Sequence, residues 1–426
     1  MLKRVTHFFK MFGPGVITGA ADDDPSGIAT YSQAGAQFGP QVLWMNLFML
    51  PLQTAVQEAC ARVGAVTGKG IAANVKKYYP KWVLYLVVGL LFSANTINIG
   101  ADIGAMAEAL QLISPWSFTG WMLMFTALIL VLEIFMSYKV YARVLKYLAM
   151  TLLVYPLTLL LVASGHWREL WEHTVRFDFQ MSYEYFFIFI AVAGTTISPY
   201  LFFWQAGEEV EEEKEHRLWK LPRPRIGGTF IRHLRGDNLL GMVMGALAAW
   251  AIMAVAALVL FPAGIHEIQT AAQAAKAIEP LVSIFPNAGF LAKLLFAGGI
   301  IALGLLAVPV LSGSAAYAIA EAFNMREGLN LKLGKAHGFY GAITISTLVG
   351  LLINYIGIDP MKALVYTAVL NGIVAVPLIF IIGRVASNDK IMGKWRSGIL
   401  SRALLAFSVI FMGLGAIGMI LYLIMG

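Results

Sequence analysis

Apolar stretches long enough to cross a bilayer recur along the whole chain. They fall at about residues 13–38, 41–65, 82–112, 117–137, 143–165, 184–206, 237–262, 288–322, 337–357, 361–386 and 400–425. A transmembrane helix needs roughly 20 apolar residues, and in lipid only helices and closed barrels satisfy their backbone groups. The pattern predicts an all-α polytopic membrane protein of about eleven helices, with 288–322 either one tilted helix or two. Charge content agrees: 13% of the 426 residues are Asp, Glu, Lys or Arg, about half the share usual in soluble proteins.

Orientation follows from the basic residues, which accumulate on the cytoplasmic side. With the N-terminus inside, only Arg168, Arg176, Lys276, Lys293 and Lys362 of the 31 basic residues face out, and the other 26 face in. This predicts a plasma (inner) membrane protein with a cytoplasmic N-terminus. Met1-Leu2-Lys3-Arg4 has the look of a signal-peptide start, but the following apolar run continues without a convincing cleavage site, so it reads as a retained first helix. The net charge of +7 sorts by loop and forms no nucleic-acid patch. The single cysteine, Cys60, excludes an intramolecular disulfide, and the seven histidines lack zinc-ligand spacing. No nucleotide loop, cofactor motif or obligate protein partner is expected. The hydrophilic stretch 207–236 is too short and too charged to be a domain, so the chain reads as one transmembrane domain, 1–426.

Two spans break the pattern. In the first, Asp22-Asp23-Asp24-Pro25-Ser26-Gly27 stands between apolar flanks, although one aspartate at a helix centre costs about 2.5–3.5 kcal/mol even on the lower insertion scales. In the sixth, Gly194-Thr195-Thr196-Ile197-Ser198-Pro199-Tyr200 puts Gly and Pro among small hydroxylated residues. Proline removes a donor and clashes with the carbonyl four residues earlier, here those of Ala21 and Thr195. Spans one and six are five apart and run in opposite directions. Interrupted helices at matching places in two inverted halves point to a transporter site. The halves expected are 1–165 and 184–386, with 400–425 as an additional helix.

Asp24 offers a carboxylate, Ser26, Thr195 and Ser198 offer hydroxyls, and the broken turns offer the Ala21 and Thr195 carbonyls. Such hard oxygen donors suit magnesium, calcium or manganese better than softer metals. Magnesium keeps several of its waters, and the small residues leave room for them. Asp22 and Asp23 point about 100° apart on a regular helix, so at most one of them is expected to line a vestibule. Asn95, Asn98 and Asp102 share a face of the third span, either an aqueous path or a polar seam. Asn371, before Gly372 and Pro377, is a further candidate ligand. Glu58, Glu133 and Glu321 are expected to pair with basic groups near the inner ends of their spans. The run Glu208-Glu209-Val210-Glu211-Glu212-Glu213 reads as a solvated helix face, with a cation funnel, to which Glu208 and Glu209 would belong, as its alternative. Gly15/Gly19 and Gly241/Gly245 form helix-packing faces.

Gly13-Pro14-Gly15, Asp24-Pro25-Ser26-Gly27 and Gln33-Ala34-Gly35-Ala36-Gln37-Phe38-Gly39 together resemble the first span of the Nramp family of divalent-metal transporters. The resemblance covers nearly the whole chain and implies a LeuT-like fold of two inverted five-helix repeats plus one helix. The family's usual signatures are Asp-Pro-Gly-Asn in span one and Met-Pro-His in span six. Here Ser26-Gly27 replaces Gly-Asn, and Ser198-Pro199-Tyr200 replaces Met-Pro-His, which is similar to the branch called Nramp-related magnesium transporters. By position, the resemblance makes Asp24 the central metal carboxylate, Gly27 the replacement for the asparagine ligand and Ser198 the replacement for the methionine. It places the Ala21 and Thr195 carbonyls toward the ion. Asp102 is kept, but the family's glutamate three residues on is Ala105, and Tyr200 stands at the histidine position. The implied activity is uptake of Mg2+ and Mn2+ by alternating access without obligatory proton coupling, the ion being substrate rather than cofactor. The competing expectations are a proton-coupled manganese or iron importer, a cation channel and, most remotely, an intramembrane aspartyl protease built on Asp24 and Asp102.

Overall fold

The computed structural model describes residues 14–135, 150, 153–215, 226–329 and 331–425. Gly13, the basic N-terminal residues, the start of the fifth span and the basic residues Lys139, Arg143, Lys146, Arg217, Lys220, Arg223 and Arg225 lie outside the described residues. The described secondary structure is entirely helical. In chain order the helices used below are α1 (Pro14–Asp22), α2 (Pro25–Phe38), α3 (Trp44–Thr67), α4 (Ile71–Tyr78), α5 (Lys81–Gln111), α6 (Phe118–Phe135), α7 (Val154–Val162) and α8 (Trp167–Val175). They continue as α9 (Tyr183–Thr196), α10 (Pro199–Glu215), α11 (Gly228–Val259), α12 (Ala288–Phe323), α13 (His337–Ile353), α14 (Pro360–Ala386) and α15 (Ile399–Met425).

Among the described residues, eight helical stretches are long and apolar enough to cross a membrane, with α9 and α10 together making one of them. The first span, cut into α1 and α2 around Asp22, Asp23 and Asp24, is not among them. The second, α3, has the length but carries Gln53, Gln57, Glu58 and Arg62. The long run 288–322 is one helix, α12, which holds Pro309 in its interior. Its 36 residues amount to about 54 Å at 1.5 Å per residue, longer than the hydrocarbon core of roughly 30 Å.

Both breaks fall where the prolines require. Asp24 is extended (φ −69°, ψ 177°) and caps α2, its side chain accepting from the Gly27 amide, as suits a residue before proline. The second break lies at Ile197-Ser198, between α9 and α10.

Without a hydrophobic force between helices in lipid, close packing of small residues does the assembling. Gly15 and Gly19 of α1 meet α11 at Asn238, Gly241 and Gly245, where a Cβ at Gly19 would overlap the Gly241 backbone. The two glycine pairs singled out in the sequence therefore pack on each other within one chain. Gly35 of α2 meets the Met253 carbonyl of α11, and Gly194 of α9 meets the Ala368 carbonyl and Gly372 amide of α14. These contacts fix the broken helices against α11 and α14.

Gly194→Val is expected to destabilise the protein by at least the 1–3 kcal/mol typical of overpacking, read as a lower melting temperature in detergent. Gly298→Ala, where an added Cβ meets nothing within 4 Å, is expected to leave it unchanged or raise it.

Candidate metal-transport site

The two breaks meet. Asp24 is 1% exposed, and its Oδ1 accepts from the Ser26 hydroxyl at 2.6 Å and the Gly27 amide at 2.8 Å. Its Oδ2 accepts from the Tyr200 hydroxyl at 3.3 Å. Ser26 Oγ lies 3.4 Å from Thr195 Oγ1 across the gap. A Cβ at Gly27 would stand 3.3 Å from the same Thr195 oxygen, so this position also faces the sixth span. The N-terminus of α2 and the C-terminus of α9 thus converge on one carboxylate.

The carbonyls orphaned by the prolines find hydroxyl donors. The Tyr200 hydroxyl donates to the Ala21 carbonyl at 2.7 Å. The Ser198 hydroxyl donates to the Thr195 carbonyl at 2.7 Å and approaches the Gly194 carbonyl at 3.1 Å. A carbonyl oxygen has two lone pairs, so each keeps one acceptor position beside these bonds. Tyr200 is therefore part of the site's framework and touches the same carboxylate.

Asn371 is fully buried, and neither amide atom has a hydrogen-bond partner. The Gly194 contact with Ala368 and Gly372 brings its turn of α14 against the end of α9. On α5, Asn95 donates to the Leu311 carbonyl at 2.9 Å. Asn98 and Asp102 are buried with their side-chain polar atoms unpartnered, and Asp102 is close enough to act electrostatically on Asp24 and Tyr200. Asp24 and Asp102 make no hydrogen bond with each other, unlike the proton-sharing dyad that a protease needs.

Two expectations need correction. Most of the acidic run on α10 is no solvated face: Glu208, Glu209 and Glu211 are 2%, 4% and 5% exposed, because α10 packs on α3 and α12, whereas Glu212 is exposed. Glu209 accepts from the Gln205 amide at 2.9 Å. Of the three glutamates assigned to basic partners, Glu58 does pair with Arg62 and Arg235, each at 2.9 Å. Glu321 accepts from the backbone amides of Gly70 and Ala73 at the start of α4, contacts that sequence spacing does not reveal. Glu133 accepts from the Ser312 hydroxyl.

Sequence reading also missed residues that tie together the elements around the site. Further along α2, Tyr31 meets Thr196 at 2.9 Å, tying α2 to α9. Beyond it a cavity of about 450 Å³ is lined by Gln33, Gln37, Glu184, His266, Glu267 and Lys362, among others. On α3, Arg62 is 1% exposed and bonds Glu58, the Trp395 carbonyl and Ser397. Gln53 of α3 donates to Asp22. The signal for these α3 residues was available: Gln53 and Gln57 are spaced by four in a membrane span.

The profile of the family described as Nramp, natural resistance-associated macrophage protein-like, matches residues 15–422. The chain belongs to the Nramp family. It is an integral membrane transporter of metal ions, not an enzyme. It is similar to a protein named divalent metal cation transporter MntH from Klebsiella pneumoniae subsp. pneumoniae, with 26% identity over 404 residues, 91% of this chain and 89% of that one. The MntH of Acidiphilium cryptum is 25% identical over 95% of this chain and 89% of its own. Among solved structures, the manganese transporter of Eremococcus coleocola in complex with an aromatic bis-isothiourea substituted compound aligns with a TM-score of 0.73 at 14% identity, covering 96% of this chain and 86% of that one. Mhp1, a nucleobase-cation-symport-1 family transporter, aligns at 0.58 and 14% identity, covering 97% and 90%. At such identities the likeness is one of fold, the LeuT-like fold expected from the twin broken helices.

Asp24→Asn keeps the acceptor for Ser26 and Gly27 but removes the charge. It is expected to lower metal uptake by about ten- to hundredfold, the equivalent of roughly 1.5–3 kcal/mol for a contact with a charged group. Uptake at the wild-type rate would show that Asp24 is no ligand.

Proposed function

We propose that this Nramp-family transporter imports divalent metal ions, Mg2+ and also Mn2+, across the plasma membrane by alternating access and without obligatory proton coupling. The observation that carries this reading is the donor set at the breaks. Asp24, Ser26, Thr195, Ser198 and the Ala21 and Thr195 carbonyls present only oxygens, and Asn371 adds an amide oxygen. Methionine's thioether favours softer ions; with Ser198 in its place the site loses that bias and suits a hard ion. Gly27 adds no side chain, leaving space for waters that magnesium keeps.

In this reading, inverted halves spanning 1–165 and 184–386 rock about the fixed site, with α15 outside the repeat. The Tyr31–Thr196 contact and the Arg62 cluster are the two closures that open in turn. With a cytoplasmic N-terminus and an inside-negative potential, entry of a divalent ion is favoured by about 4.6 kcal/mol per 100 mV. Ala105 and Tyr200 replace the glutamate and histidine on which the family's usual proton route depends, which supports uncoupled uptake.

The test is flux into proteoliposomes loaded with a pH indicator. Mg2+ uptake is expected without internal acidification, and Ser198→Met is expected to shift preference toward Mn2+ over Mg2+ by several-fold. A proton-coupled manganese importer is the second reading, favoured by the manganese transport named for the Eremococcus relative. Metal-driven acidification, with no Mg2+ flux, would establish it instead.

A further inference from the structure

The central site engages one of three consecutive aspartates. Asp22 and Asp23 are 2% and 0% exposed, and an ionised carboxylate in such a place costs several kcal/mol unless it is compensated. The charges that act on Asp22 are Asp23 and Asp24, and the charge that acts on Asp23 is Asp24. No lysine, arginine or histidine among the described residues offsets them. Asp22 Oδ1 and both Asp23 oxygens are buried without a hydrogen-bond partner. Counted with Asp24 and Asp102, four carboxyl groups share one region without a basic side chain, and a single divalent ion balances only two.

One further buried oxygen stands beside the pair, and another lies one turn along α3. Gln53 donates its amide N–H to Asp22, which holds its own Oε1 beside that carboxylate, buried and unpartnered. Gln57, one turn further along the same face of α3, is fully buried with both amide atoms unpartnered. Opposite, Gly245 of α11 supplies no side chain, and a Cβ there would lie 3.6 Å from Asp23 Oδ2.

We propose that Asp22 and Asp23, with the amide oxygens of Gln53 and Gln57, form a second divalent-cation site on the cytoplasmic side of Asp24. The proposal rests on the reading of Asp24 as the cargo site. An ion leaving Asp24 inward meets this pair before bulk water, and an ion arriving at Asp24 repels the one ahead of it, as between successive sites of a pore. The second site therefore separates dehydration at Asp24 from release into the cytoplasm.

Binding stoichiometry decides this, with Mn2+ as the probe on the purified full-length chain. Equilibrium dialysis is expected to give two ions per chain in the wild type, one in the Asp22→Asn/Asp23→Asn variant and one in Asp24→Asn. Electron paramagnetic resonance is expected to show spin–spin broadening in the wild type, a readout that needs no variant, and narrower lines in both variants. One ion in the wild type, lost in Asp24→Asn, overturns the second site and leaves the cargo site standing. Two ions retained by Asp22→Asn/Asp23→Asn also overturn it. Two ions retained by Asp24→Asn remove the cargo assignment on which the proposal rests.

Discussion

A carboxylate held at membrane depth needs donors: the first helix break gives Asp24 the Ser26 hydroxyl and the Gly27 amide, and the second brings the Tyr200 hydroxyl to 3.3 Å. The break exists because Pro25 cannot continue the hydrogen-bond ladder of α1. It is tolerable because Asp24 turns from a helical residue into the cap of α2. The matching break before Pro199 brings Tyr200 and Thr195 to the same place, so each interrupted helix completes the other. Glycine contacts with α11 and α14 hold that meeting point; a side chain at Gly19 or Gly194 would push the breaks off their supports.

The same local chemistry suits a site that must open. The Ala21 and Thr195 carbonyls are served by hydroxyls rather than by helix amides. A hydroxyl can rotate away, and a typical hydrogen bond contributes only about 0.5–1.5 kcal/mol net. In the proposed alternating access, movement of one half against the other would exchange weak bonds for similar ones, or for an ion. The contacts on the two sides of the site differ in kind: Tyr31–Thr196 is a single hydroxyl contact, whereas Arg62 of α3 bonds the Trp395 carbonyl and Ser397, and Glu58 of the same helix pairs with Arg235 of α11.

Much of this was legible in residue patterns. Apolar lengths predicted the helices, and paired prolines among small polar residues predicted both breaks and the residues at them. Three features were not legible, each for a physical reason. The burial of Glu208 and Glu209 depends on what α10 packs against, and charge runs say nothing about that. The hydroxyl donors to Ala21 and Thr195 come from rotamers that no spacing reveals. Glu133 looked like a partner for nearby basic residues, but the group that reaches it is Ser312, 179 positions away. Contacts between distant spans are where sequence periodicity stops informing.

The proposed transport cycle depends on one ion binding between the two breaks. The most direct measurement is anomalous scattering from a crystal of the protein grown with Mn2+. A peak is expected within coordination distance of Asp24 and of the Thr195–Ser198 turn. A transport-competent protein whose bound metal lies away from Asp24 would contradict it.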